Sequence, residues 1–320
     1  MLSDNPPLRA PATATVVAGQ RDWQLDAWLT ESAAKAGRYC DDIYFRESWS
    51  QACELLPNPE LTLRWNTYVL IKPETVATGQ VELLLSLIQD RGFRLLDVLP
   101  VVLDRYRSRA LWQYQLNAAP LATLATIDLI ISCGPSAVAL LAEEPGARQP
   151  GGSASERLSR MKGVSFGTRR PTDLRTLLGG TTRLHSFLHV PDEPADLVRE
   201  LGIWFDQPAR QRVYRTLAGA GGEAASGPAI AEVARRLQRD VSVIDLDLDR
   251  ALDTLARTVG AADRARVRQV RNWLCGEPED ATLLELVRWL TGLTGVPAWD
   301  RALIASHLVQ GERPERPALL

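Results

Sequence analysis

The chain has 320 residues, 45% of them hydrophobic and 24% charged, with a formal net charge of −2. Charge so evenly balanced excludes a protein that grips nucleic acid through bulk positive charge, although a local basic patch stays open. Cys40, Cys53, Cys133 and Cys275 show no CxxC spacing and no accompanying histidine cluster, which excludes a zinc site and points to reduced thiols.

The length suggests two domains, with one large domain as the other option. Residues 1–18 are rich in Pro, Ala and Thr and are expected to be disordered. They lack the basic start and apolar core of a signal peptide, so we expect a soluble, cytoplasmic protein. Residues 21–56 read as helical, with Trp23, Trp28, Ile43, Trp49 and Leu55 as buried anchors, and LPNPE at 56–60 punctuates the chain. TYVLI at 67–71 predicts a strand. Thr78-Gly79 then leads into a helix whose Val81, Leu84, Leu85 and Ile88 recur at i, i+3, i+4 and i+7, with Gly92 as its natural C-cap.

FRLLDVLPVVL at 93–103 predicts a second strand, and 105–128 reads as two helices broken at 117–120. SAVALLA at 136–142 predicts a third strand. The longest apolar run, 118–142, is interrupted by Asp128 and Gly134-Pro135, so it reads as helix then strand and not as a membrane span. After a loop at 149–155, residues 183–189 predict a fourth strand. This alternation fits an α+β sandwich with helices on one face of a small sheet. A linker at 220–228 precedes amphipathic helices at 229–238, 247–259, 261–274, 281–293 and 298–309. Residues 228–260 have a faint helix-turn-helix look. Asp245, Asp247, Asp249 and Asp253 would meet DNA phosphates there, so nucleic acid is not the expected partner. Arg264, Arg266, Arg268 and Arg271 read as a solvated helix face, and we expect these helices to serve docking or self-association.

Chemistry concentrates in HSFLHVPDEPADLVRELGIWF, 185–205. His185 reads as structural. His189 ends the fourth strand, 190–193 turn the chain, and Pro194 opens a helix with Asp192 or Glu193 at its N-cap. Leu197, Val198, Leu201 and Trp204 give that helix a buried stripe, and Glu200 borders it. A histidine ahead of a helix and a carboxylate inside that helix can meet. Without further context a half-buried structural histidine is the competing reading.

Three motifs in this order resemble the nucleoside diphosphate kinase family: TYVLIKPETVATGQVELLLSLIQDRGFRLLDV at 67–98, SCGPSAVALLAEE at 132–144, and HVPDEPADLVRELGIWF at 189–205. The last runs ungapped from the histidine to the aromatic pair, and the likeness spans residues 66–205. The resemblance implies a ferredoxin-like, nucleoside-diphosphate-kinase-type α+β sandwich at 65–206. A helical extension at 19–64 and a helical domain at 207–320 would flank it.

The resemblance also implies roles. His189 stands at the phospho-accepting histidine, Glu200 at the glutamate that holds the other ring nitrogen, and Lys72 at the phosphate-contacting lysine. Tyr114 stands near the tyrosine beside the histidine, Arg175 at a phosphate arginine, and Ser165 at a phosphate threonine. A second phosphate arginine is Arg160 or Arg157. Leu121 replaces the aromatic that stacks the base, Ser186 the asparagine that contacts the sugar, and Val190-Pro191 a Gly-Ser pair. The loop at 145–182 lacks the family's Asn-Pro signature, which puts the family's oligomer in doubt.

The implied activity is a phosphotransferase. The γ-phosphoryl of ATP or another nucleoside triphosphate, brought with Mg²⁺, would pass through a phosphohistidine at His189. It would go to a nucleoside diphosphate or a related non-standard acceptor. The alternative is a catalytically inactive nucleotide- or protein-binding module of the same fold. The chemistry is coherent: a neutral imidazole is a nucleophile, a carboxylate fixes its tautomer, and cations offset phosphoryl charge.

Overall fold

The computed structural model describes residues 25–165, 167–220, 227–277, 281–314 and 316–320. The expectations for residues 1–18, for Trp23 and for the middle of the 220–228 linker lie outside them. Four strands, β1 (Asn66–Ile71), β2 (Phe93–Val101), β3 (Ser136–Glu143) and β4 (Leu188–His189), form an α+β core. They make one antiparallel sheet in the order β2-β3-β1-β4.

Every residue of β1 and β3 is buried. Tyr68, Leu70, Val138 and Leu140 point to one side, where they pack with Phe45 and Ala52 of helix Ile43–Leu55 and with Leu197, Val198 and Leu201 of helix Pro194–Trp204. Val69, Ile71, Ala139 and Leu141 point to the other side. There they meet Leu84 and Leu85 of helix Val81–Gln89, Leu158 of helix Ala154–Lys162 and Ile230 of helix Gly227–Gln238. Helices therefore cover both faces, which corrects the one-face expectation. The physical reason stands in the strands themselves. Apolar runs without polar alternation are the mark of a sheet covered on both sides.

Residues 25–56 hold helices Ala33–Asp41 and Ile43–Leu55, not one continuous helix. Asp42 separates them because its carboxylate accepts from Phe45 N at 3.1 Å and so caps the second. Trp28, Trp49 and Leu55 are partly buried anchors, but Ile43 is 59% exposed. The first position of a capped helix can face water regardless of its side chain. The break at 117–120 falls between helices Gln113–Leu116 and Leu121–Ile131, and a further break at Trp112 ends helix Arg105–Leu111.

Residues 183–187 are not strand. Phe187 adopts φ +64°, which ends any ladder, and the Glu74 carboxylate takes the N–H groups of Ser186 and Phe187 at 3.1 and 3.0 Å. Downstream, Glu193 is the N-cap of helix Pro194–Trp204, in a reciprocal capping box with Asp196.

Near the C-terminal end, helices Leu283–Gly292 and Ala298–Leu308 pack on helix Leu121–Ile131 through Ala122, Leu129 and Ile130, and helices Leu248–Thr258 and Arg264–Leu274 pack in turn on Ala298–Leu308. Among the described residues no helix is long and apolar enough to cross a membrane.

Candidate active site

His189 is placed by strand pairing. It lies opposite Leu70 of β1, and the turn at 190–193 brings helix Pro194–Trp204 back across it. Glu200 then sits with both carboxylate oxygens 3.0 Å from His189 Nε2. The Tyr68 hydroxyl donates to Glu200 Oε2 and accepts from Trp204 Nε1 at 2.9 Å. Burial first, then the Glu200 carboxylate, hold the Tyr68 phenol well above its usual range, so it stays a donor.

On the other side of the ring, Trp112 Nε1 lies 3.4 Å from His189 Nδ1, with the two rings edge to face at 5.6 Å. An indole N–H only donates. His189 Nδ1 is therefore the acceptor, and the proton resides on Nε2, given to Glu200. The result is a neutral imidazole with its lone pair on Nδ1, capped by one long hydrogen bond.

Two cavities meet at this ring. One, of about 310 Å³, is bordered by Lys72, Arg175, Ser186 and His189 and, for the larger part of its surface, by apolar side chains such as Ile127 and Ile130. The other, of about 720 Å³, is more polar and includes Arg160, Lys162 and Asp192. Trp112, Gln115, Ser165, Arg175 and His189 line both.

Lys72 reaches the smaller cavity, but its protons are already placed. They go to Glu74 Oε1 at 2.7 Å, Leu184 O at 2.9 Å and Ser186 Oγ at 3.1 Å. Burial alone would raise the Glu74 carboxyl; Lys72 and then His185 outweigh it and hold it low. Arg175 differs. It is 6% exposed, donates to Gly163 O at 2.7 Å and Leu188 O at 3.4 Å, and its Nε has no acceptor. Among the described residues no carboxylate pairs with it, and burial, then Arg169, push it down to about 10. A buried cation without a counter-ion is poised for an anionic ligand.

The other expected residues divide. Ser186 borders the smaller cavity as the lysine's acceptor, and Ser165 stands between the two cavities. Arg160 is exposed and lines only the larger one. Arg157 points away. It donates to Arg91 O at 2.8 Å, pairs with Glu143 and stacks over Phe93. Leu121 is 59% exposed and lines neither cavity.

Tyr114 lines the larger cavity, but its hydroxyl donates to Asp42 at 2.9 Å, within a buried cluster that Asp42 forms with Arg199 at 2.7 Å. His189 and Glu200 are not its partners. Tyr68 takes the place at Glu200 instead. A signal for it was present: Tyr68 lies two residues from Leu70, on the same face of β1, and Leu70 pairs with His189. Trp112 carried no comparable signal.

His185 is fully buried, with Nδ1 2.8 Å from the Ser306 hydroxyl, and burial pushes it down to about 4. Among the described residues no three His, Cys, Asp or Glu side chains converge as a metal cluster. Asp192, nearest in sequence to His189, is held by Lys162 at 2.9 Å and by the Ser159 hydroxyl. The residues present thus fit a phosphoryl group, and among the described aromatic residues Trp112 lines both cavities.

No family model and no curated protein matches the chain. Solved nucleoside diphosphate kinases are similar to part of it. An apo enzyme from Encephalitozoon cuniculi is 13% identical over 44% of this chain and 88% of its own, at TM-score 0.37. One from Halobacterium salinarum, in complex with CDP, is 16% identical over 45% and 88%, at 0.34. A nucleoside diphosphate kinase family protein from Babesia bovis is 17% identical over 46% and 90%, at 0.35. Likenesses this shallow carry no argument about this chain.

Proposed function

We propose that this chain is a phosphotransferase in which His189 carries a phosphoryl group from a nucleoside triphosphate to an acceptor. One observation carries the reading. His189 Nε2 is clasped by Glu200 while Nδ1 keeps its lone pair beside two cavities that share the unpaired Arg175 cation. In the first step Nδ1 attacks the γ-phosphorus, the bond to the nucleoside diphosphate breaks, and the proton stays on Nε2, hydrogen-bonded to Glu200. Glu200 stabilises the positive charge that develops on the ring. Arg175 offsets the phosphoryl charge, Lys72 contributes through the field it shares with Glu74, and Ser165 and Ser186 supply hydroxyls at the cavity border. Mg²⁺, arriving with the nucleotide, would neutralise its phosphate oxygens. The antiparallel order β2-β3-β1-β4 supports a ferredoxin-like reading of residues 65–206, with helical parts at 19–64 and 207–320.

The test is incubation of the pure protein with γ-labelled ATP and Mg²⁺, beside His189→Ala and Glu200→Ala. An acid-labile, base-stable label that disappears in His189→Ala is expected. A label that persists in His189→Ala ends the proposal.

A second reading has its own observation. All three lysine protons of Lys72 go to protein acceptors, which suits a module that binds a nucleotide without turning it over. Nucleotide binding by calorimetry without any label on the folded protein would favour that reading.

A further inference from the structure

The smaller cavity has two unlike ends. At one stand Arg175, Ser186 and His189, with Arg175 offering a buried, unpaired Nε–H. Most of the remaining wall is hydrocarbon, from Leu116, Ala119, Ile127, Ile130, Ile131 and Leu184. Of the polar groups beside it, Thr123 and Arg183 are committed to the protein, while Gln115 and Ser165 stand where this cavity meets the larger one. Thr123 Oγ1 donates to Glu312 at 2.6 Å and accepts from Arg183 at 2.6 Å, while Arg183 also donates to Val309 O at 2.9 Å. Pro314 and Ala318 of the C-terminal segment complete the wall. That segment is tied down by Arg316 to Asn117 O at 2.9 Å and by Leu319 N to Tyr114 O at 2.8 Å. A base edge or sugar hydroxyl pressed against Ile127, Ile130 and Ile131 loses its water and gains no partner there, whereas a hydrocarbon gains from leaving water.

We infer that the acceptor held in this cavity is a small monophosphate with a hydrocarbon body, not a nucleoside diphosphate. Its binding follows from the cavity alone; its role as acceptor rests on the proposed phosphoryl transfer through His189. The head group lies against Arg175 and the body along Ile127 and Ile130. A phosphate oxygen of the acceptor attacks the phosphorus carried on Nδ1. The new P–O bond forms as the P–N bond breaks, the bonding pair returns to Nδ1, and the proton stays on Nε2, hydrogen-bonded to Glu200. The product is the hydrocarbon diphosphate.

Calorimetry on the full chain with inorganic, ethyl, butyl and hexyl phosphate tests the ligand class. Each added methylene should tighten binding about fourfold until the cavity is full. Ala119→Phe, at the half-buried turn beside the cavity, should flatten this series and leave inorganic phosphate unchanged. A flat series in the unaltered chain overturns the inference. Protein labelled from γ-labelled ATP is then chased. Hexyl phosphate should discharge the label faster than CDP, and faster discharge by CDP overturns the acceptor class. A label without the chain-length series sinks the inference and keeps His189 as carrier. The series without a label keeps the ligand class and sinks the transfer.

Discussion

Each histidine near the site is defined by the hydrogen that faces it. Trp112 gives His189 Nδ1 a donor at 3.4 Å, so the nucleophilic lone pair must leave that contact before it meets phosphorus. A bond this long is weak, and its net worth of about 0.5–1 kcal/mol corresponds to two- to fivefold in rate. Trp112→Phe should therefore speed labelling of His189 by that factor in single-turnover measurements. Slower labelling would show instead that the indole orients the ring productively. His185 is the opposite case, a buried neutral ring pushed down to about 4 by burial, against the pull of Glu74 and with Lys72 and His307 adding to the depression. Between about pH 4 and 6.5 the unfolded chain binds a proton that the folded ring refuses. Stability thus rises with pH through that window and falls as pH drops, by about 3 kcal/mol in all. His307, also lowered by burial, adds a slope of the same sign. In His185→Gln, where Ser306 keeps a polar partner, urea unfolding should lose most of this slope. Unchanged slopes in the two proteins would assign the pH dependence elsewhere.

At the level of elements, helix Pro194–Trp204 delivers Glu200, and Gly202 sets how closely it approaches helix Ile43–Leu55. A Cβ at Gly202 would overlap the Tyr44 carbonyl oxygen and lie 2.9 Å from its carbon. Gly202→Ala gains about 1 kcal/mol of helix propensity but must separate two backbones, at about 1–3 kcal/mol. The steric effect wins because rigid backbone, not a side-chain tip, stands in the way. We expect a lower urea midpoint together with slower labelling, as Glu200 moves off His189. A raised midpoint would mean the helices part without strain. This helix was legible in the sequence: Pro194, the acidic cap and the stripe from Leu197 to Trp204 are local signals. So were β1 and β3 as strands, although the reading put helices on one face of the sheet and the structure covers both. The fourth strand was legible only at its end, Leu188–His189, because what untwists 183–187 is Glu74, more than a hundred residues away, accepting the Ser186 and Phe187 N–H groups. For the same reason His189 and Glu200 could be paired from spacing, whereas Trp112 and the saturation of Lys72 depend on contacts that no local pattern encodes.

For the molecule as a whole, the apolar clusters run across residues 64 and 206, where the sequence divides into parts. Phe45 and Tyr214 share a cluster with Tyr68, Ile230 shares one with Val69, and Leu303 shares one with Ile130. The ends of the chain therefore help shape the site. Residues 312–320 illustrate it: Glu312 is bonded to Thr123, Arg38 donates to Leu319 O at 3.1 Å, and Pro314 and Ala318 wall the smaller cavity. Deleting residues 312–320 removes about two methylene-sized contacts to a hydrocarbon body, each near 0.8 kcal/mol, so hexyl phosphate should bind about tenfold more weakly. Inorganic phosphate, held by Arg175 at the other end, should bind as before. Thr123 and Arg183 would turn to water, which lowers stability by about 1–3 kcal/mol in urea. With the wall gone, the turn at 117–120 is open to solvent, and a bulkier, more polar acceptor such as CDP should begin to discharge labelled protein. If the shortened chain keeps both its hexyl phosphate affinity and its indifference to CDP, the apolar preference resides in helix Leu121–Ile131 alone and the segment serves only to hold Arg183 and Thr123.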